Sequence, residues 1–548
     1  MLTRITTSFP GEVILLTLFG IVISLAAYRI DQPMLVAAIG MAPVVGLFAW
    51  SQPFIICALF ITFAHFRLTE AYPALEAAKP IMLLGATAVF LVACRGLLTP
   101  LRSALNERTI KFLCLVTLLA TTGLGVPYSF VRAAGVISPD AAAIPAIMAC
   151  AAVCAVLWTV LLSASGSRPL PMNIWLFTGF FVLICVTTIF SRIPGHSFEV
   201  WSNLTWKVAA MTLASAWLAR TQRDLLNASN IYIVSGLLIA VVVYYNKIHG
   251  ISLVQETRVS IGLIVSDDPE AVRASQRVLS DPNDLALILM FPLGFTFARI
   301  VHRRNIIEGL VAALASGAIL LGIIFTQSRG AAIGIMMVAA ITLLQRYKSI
   351  ALGLMAVLVA APLMLSAMSI ATRSSGGYEE FAEGDLDDSA QHRVDAWKTA
   401  INMAIARPLT GVGLANFSPM YYTYTDYWHN KAIAAHSMWF QVLGELGFVG
   451  LALFIAMIWS SFNLNARTIR LLAAARAPPT QRATAVGLQA ALAGTCASGT
   501  FLSQGYNWPI YIIIALIAAL ANQVEEPAAQ HTTVNASNDD SRQPEDVR

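Results

Sequence analysis

Three basic side chains in this sequence occupy settings where such groups are costly. His436, followed by Ser437, closes the stretch from 370 to 436, the longest polar interruption between apolar runs, just where an apolar helix resumes. That spacing sets a titratable imidazole at the edge of an apolar span, beside a loop large enough to hold a substrate. Arg329 stands in Thr326-Gln327-Ser328-Arg329-Gly330, a break between two apolar runs with no acidic residue nearby in sequence. An unpaired guanidinium there either snorkels to an interface or awaits an anion. Arg393 falls in the first turns of a helical pattern within the large loop, where it can face lipid headgroups or a cavity.

The surrounding loop changes character along its length. Ser374 to Ser389 carries Glu379, Glu380, Glu383, Asp385, Asp387 and Asp388, without the alternating ligands and turn glycine of a calcium loop, so it reads as a solvated linker. From Ser389, Val394, Trp397, Ile401 and Ile405 recur at helical spacing, with Pro408 as a stop, and predict an amphipathic helix lying along a membrane surface. Gly411-Val412-Gly413 then predicts a tight passage. Tyr421, Tyr422, Tyr424, Tyr427, Trp428 and His429 follow as a cluster that suits either the apolar faces of sugars or interfacial anchoring. Beyond His436, Gly447 and Gly450 are expected to admit a close neighbour, and Glu445, inside an apolar helix, is expected to face a partner or a cavity. Asp281-Pro282-Asn283-Asp284 reads as a helix cap.

Composition identifies the elements that must position these residues. Hydrophobic residues make up 57%, charged residues 12%, and mean hydropathy is +0.70, whereas a soluble domain carries about 25% charged residues. The apolar runs approach the roughly 20 residues that cross a hydrocarbon core, and their backbone amides must be satisfied internally, so they are helices. The prediction is an all-α, polytopic bundle of 12 to 16 spans, centred near residues 20, 42, 59, 88, 118, 153, 182, 212, 238, 293, 317, 337, 358, 448, 494 and 514. Its expected parts are amino-terminal helices over 1–229, a core over 230–523 that includes loop 370–436, and a disordered cytoplasmic tail over 524–548.

Lysines and arginines cluster in alternate loops, around Arg102, Arg220, Arg303, Arg346 and Arg470. With all sixteen spans counted, the positive-inside rule makes those loops cytoplasmic, both termini cytoplasmic, and loops 247–283 and 370–436 periplasmic or extracellular. The net charge of +5 therefore reports orientation, and no basic stripe with interleaved aromatics points to nucleic acid. All seven cysteines, Cys57, Cys94, Cys114, Cys150, Cys154, Cys185 and Cys496, fall in expected spans, which argues against a disulfide framework or a metal site.

His436-Ser437, nine intervening residues and Gly447-Phe448-Val449-Gly450 together resemble the signature of the O-antigen ligase and polymerase superfamily of bacterial polysaccharide assembly. The Ser328-Arg329-Gly330 break, the Arg393 helix and Gly411-Val412-Gly413 occur in that superfamily's order, while Leu451 departs from its usual residue. The likeness covers about Ile231 to Tyr511. It implies a glycosyltransferase class C-like membrane enzyme of the bacterial inner membrane, needing no cofactor or metal. Its glycan would move from an undecaprenyl-diphosphate donor to a glycan, lipid A-core or protein acceptor on the periplasmic face, alongside other polysaccharide-assembly proteins. His436 would then be the base, and Arg329 and Arg393 would hold the departing diphosphate. Arg258, Asn283, Tyr421, Tyr422 and Trp428 would be substrate contacts. The contrasting expectation is a lipid-linked oligosaccharide flippase or polysaccharide transporter without catalysis, which so many spans suit equally well.

Overall fold

The computed structural model describes residues 52–66, 84–85, 87–89, 91–92, 143–165, 169–248, 282–326, 328–347, 388–426 and 433–540. The expected spans centred near 20, 42, 118 and 358, together with Arg258 and Trp428, lie outside the described residues. The chain divides into Met1–Cys57 and Ala58–Arg548, and the elements that hold the candidate site all belong to the second unit.

Among the described residues every regular element is helical. In chain order these are α1 (Phe54–Phe66), α2 (Ala143–Ser165), α3 (Met172–Ile189), α4 (Pro194–Val200), a π segment (Trp201–Thr205) and α5 (Trp206–Leu218). There follow α6 (Gln222–Ile248), α7 (Pro282–Val301), α8 (Ile306–Thr326), α9 (Arg329–Tyr347) and α10 (Asp388–Ala406). The last four are α11 (Phe417–Tyr424), α12 (Met438–Ala474), α13 (Pro479–Gly499) and α14 (Trp508–Asp540). Eight of them, α2, α3, α6, α7, α8, α9, α12 and α14, are long and apolar enough to cross a membrane. The protein is a multi-pass, all-α membrane protein.

Two further expected spans take a different form. The one near 212 is a continuous run in which α4 and α5 are joined through the π segment Trp201–Thr205, and Trp206 Nε1 donates to Ser202 O at 2.8 Å. The one near 494 is α13, whose Thr, Gln, Ala and Gly content is unusually polar for a span. It is nonetheless buried along most of its length. Its small residues let α7 and α9 approach closely: Gly294 of α7 lies against the Ala491 backbone, and Gly334 of α9 lies against Gly494 O. Protein, rather than lipid, surrounds this helix.

The apolar core beneath the candidate site joins α6, α7, α8, α9 and α13 through residues such as Val243, Leu289, Ile319, Val338 and Ala490. α3 packs into the same bundle. Asn173 of α3 donates to Ser461 Oγ of α12 and Ile514 O of α14, both at 3.2 Å. The bundle also has polarity along its length. Arg299, Arg346 and Arg467 lie toward the ends of α7, α9 and α12 remote from His436, and Arg299 there donates to Ser229 Oγ and Asn230 Oδ1.

α14 continues as helix to Asp540, beyond the boundary expected at 524 and through Pro527. In α10 the face turned to the protein carries Ala396, Ala400, Met403 and Ala404, while Ile401 and Ile405, of the stripe expected to lie along a membrane surface, are exposed. Small residues permit the close contact of α10 with Gly444 of α12, whose missing side chain leaves room for the Ala400 Cα and the Met403 Sδ.

Candidate active site

Two chain segments build the end of the bundle that carries His436. The first is the passage from Arg407 to Phe417, which docks on the start of α12 through its backbone. Val412 N donates to Gly444 O at 3.0 Å, Gly413 N to Glu445 O at 2.9 Å, and Phe448 N to Pro408 O at 2.9 Å. Such an approach leaves no space for side chains. A Cβ on Gly411 would lie 2.4 Å from Glu445 C, and one on Gly447 would lie 2.5 Å from Pro408 O. Both glycines hold left-handed backbone, with φ of 57° and 72°, and Gly447 kinks α12. The neighbour expected for the paired glycines is therefore the Pro408 turn, reached by Gly447. Gly450 instead makes room for Leu446 of its own helix.

Glu445 anchors the same passage. Its carboxylate is buried and accepts from Ala415 N at 2.9 Å and Phe417 N at 3.3 Å. The Gln441 amide and the Tyr506 hydroxyl face it as well. Burial, and then the Glu445 charge, hold the Tyr506 hydroxyl protonated, well above the ordinary phenol range. The partner expected for this costly carboxylate is thus chiefly a pair of backbone amides. From the other side, Asn416 Nδ2 donates to Ser191 Oγ at 2.5 Å, and Ser197 Oγ donates to Leu414 O at 2.7 Å. Arg192 N reaches Val412 O at 3.0 Å.

The second segment is residues 500–507, between α13 and α14, and side chains hold it. His436 N donates to Ser503 Oγ at 2.8 Å, and Gln504 Nε2 donates to Asp284 Oδ1 at 2.5 Å. Gly505 N donates to Gln441 Oε1 at 3.1 Å, and Trp439 Nε1 to Thr500 Oγ1 at 3.0 Å. Phe501 reaches two further elements. It lies 6.4 Å from the Trp397 ring of α10, which also stacks on Phe440 at 5.0 Å, and its Cβ is 3.3 Å from where a Gly330 Cβ would stand.

These contacts draw together residues distant in sequence. His436 is bonded to the 500–507 segment directly. Arg393 is half-buried one helical turn before Trp397 and on the same face of α10. Arg329 opens α9 next to Gly330. Asn283 adjoins Asp284 at the start of α7. His436 itself adopts φ of 46° between buried Ala435 and Ser437. A non-glycine residue in that region costs about 1–3 kcal/mol, a strain concentrated at functional sites. Ser437 begins α12 without capping it, and its buried hydroxyl has no hydrogen-bond partner among the described residues.

The aromatic cluster separates into two roles. Tyr421 is 0% exposed and packs with Phe417, Val412 and Met403 in a small core beneath the loop, so its ring offers no open face to a sugar. Tyr422 is 69% exposed and remains available. The residues that sequence reasoning passes over are Ser503, Gln504, Gln441 and Trp439, whose signal is faint: ordinary polar and aromatic types in or facing a short connection. Among the described residues no group of three or more His, Cys, Asp or Glu gathers as a metal set.

No curated protein matches the chain. Residues 312–455, running from within α8 through the His436 motif into α12, match the family model described as O-antigen ligase. That segment, about a quarter of the chain, is similar to the superfamily whose signature the His436 motif resembles.

Proposed function

We propose that this protein is a glycan transferase that moves an oligosaccharide or polysaccharide from an undecaprenyl-diphosphate donor to an acceptor hydroxyl. The observation that carries this reading is the convergence of the strained His436, the Arg393 face of α10 and the Arg329 end of α9 on residues 500–507. The positive-inside rule makes the arginine-rich end of the bundle cytoplasmic, so the His436 end faces the periplasm of a bacterial inner membrane.

In the proposed reaction the His436 imidazole takes the proton of the acceptor hydroxyl as its oxygen attacks the anomeric carbon of the donor sugar. The new glycosidic bond forms as the bond from that carbon to the diphosphate oxygen breaks. The departing undecaprenyl diphosphate keeps the electron pair, and the fork-shaped donors of Arg329 and Arg393 stabilise its charge. The proton then leaves His436 for solvent. Asn283 and Tyr422 are proposed substrate contacts, as are Arg258 and Trp428, which lie outside the described residues. Two arginines supply the positive charge here, so the reaction is proposed to need no metal.

The test is purified protein in detergent with a lipid-diphosphate-linked glycan and an acceptor. Transfer that persists in EDTA is expected. Absence of transfer, together with protein-dependent passage of the lipid-linked sugar across vesicles, would replace this reading with a flippase. A surface-polysaccharide gel from a deletion strain separates the two transferase types: accumulated lipid-linked polymer marks a ligase, single-repeat products a polymerase.

A further inference from the structure

An apolar surface surrounds the Arg407–Pro408 turn, apart from the residues around His436. Phe190 and Ile193 come from the α3–α4 connection, Ile405 and Leu409 flank the turn, and Phe448 and Val449 follow the Gly447 kink. All six are exposed, Leu409 at 67% and Phe190 at 57%. Hydrogen bonds fix the three segments to one another: Arg407 Nη2 donates to Phe190 O at 2.6 Å, Arg192 N to Val412 O at 3.0 Å, and Phe448 N to Pro408 O at 2.9 Å. The patch is therefore a built surface rather than a set of stray side chains.

Its position identifies what covers it. Along α12 the exposed residues Phe448, Ala452, Ile455 and Trp459 recur at helical spacing, and the opposite face, including Phe454, Met457 and Ser461, is buried. In a membrane-spanning helix that exposed stripe faces lipid. The patch lies at the His436 end of that stripe, where Phe448 belongs to both. Arg192, exposed between Phe190 and Ile193, and Arg407 add guanidinium groups to this rim. Exposed apolar side chains with guanidinium groups among them form the profile of an interfacial membrane segment.

We propose that this surface is a lipid footing: Phe190, Ile193, Ile405 and Leu409 insert into the leaflet on the His436 side, and Arg192 and Arg407 engage phospholipid phosphates. Typical insertion of such surfaces is about 5–10 Å into the headgroup and acyl boundary. The footing fixes the height of the Arg407–Phe417 passage, and with it the site, relative to the membrane. It stands independently of the transfer reaction.

The experiment places the photoreactive amino acid p-benzoylphenylalanine at Leu409, at Ile405 and at Ile455 of the full chain, in vesicles of phosphatidylethanolamine and phosphatidylglycerol. After irradiation, mass spectrometry reads the adducts. Phospholipid adducts at Leu409 and Ile405, comparable in yield to Ile455, are expected. Adducts to a second copy of the chain, or none at Leu409 and Ile405 while Ile455 yields lipid, would overturn the proposal. For the phosphate contacts, phosphatidylglycerol should be over-represented among Leu409 adducts relative to the vesicle, and Arg192→Glu should abolish that excess. A wild-type adduct ratio equal to the vesicle composition would remove the arginines from the footing.

Discussion

The passage from Arg407 to Phe417 and the segment from 500 to 507 adjoin the same end of α12, yet they are attached by different means. The first is bound chiefly backbone to backbone, with glycines at 411 and 447 where any side chain would collide, and the buried Glu445 carboxyl of α12 accepts from two of its main-chain amides. The second is bound through the Ser503, Gln504, Gln441 and Trp439 side chains, and it reaches the strained His436 and the elements that carry Arg393 and Arg329. Main-chain docking gives a scaffold that tolerates little change. Side-chain docking gives a site whose polar groups can be tuned singly. Damage to the first should therefore register as lost stability, and damage to the second as lost activity.

The largest stability effect is expected from Gly447→Ala. Left-handed backbone combines with a Cβ placed 2.5 Å from Pro408 O, so a loss of about 3–5 kcal/mol, or failure to assemble, should appear in detergent thermal unfolding and membrane yield. Glu445→Ala comes next. It leaves two buried amides without their acceptor, at about 2–4 kcal/mol, whereas Glu445→Gln keeps an acceptor oxygen and should lose less than half as much. Across the divide, Ser503→Ala should leave the unfolding temperature nearly unchanged while lowering transfer about five- to tenfold, as suits one lost hydrogen bond behind His436. Tyr422→Ala is the smallest: stability within about 0.5 kcal/mol, with any effect confined to substrate affinity. A Ser503→Ala protein that unfolds as readily as Glu445→Ala would dissolve the distinction between the two regions.

The scaffold is far more legible in the sequence than the site. Long apolar runs announce spans such as α6, α8 and α12, because only helices satisfy their backbone in lipid. Gly411, Gly413 and Gly447 announce a close passage because a residue without a Cβ can hold left-handed backbone against another main chain. The burial of α10 escapes the pattern because Ala396 and Ala400 carry little hydrophobic signal beside Ile401 and Ile405, although it is small residues that let helices touch. Residues 500–507 are silent for a related reason. Ser503 and Gln504 are commonplace in a connection, and their meaning lies in His436 and Asp284, separated from them by 67 and 220 positions. Tyr421 and Tyr422 show the limit of composition: adjacent and identical in type, one is core and the other surface.

The division between scaffold and site rests most directly on His436. Transfer and thermal unfolding should be measured together for wild type, His436→Ala and His436→Asn, the last because asparagine tolerates left-handed backbone. Both variants are expected to unfold within about 1 kcal/mol of wild type and to lose transfer by about 10²–10⁴-fold, the contribution of a general base. Near-wild-type transfer in His436→Asn, with the protein intact, would contradict the account and move the proton-accepting role to another residue.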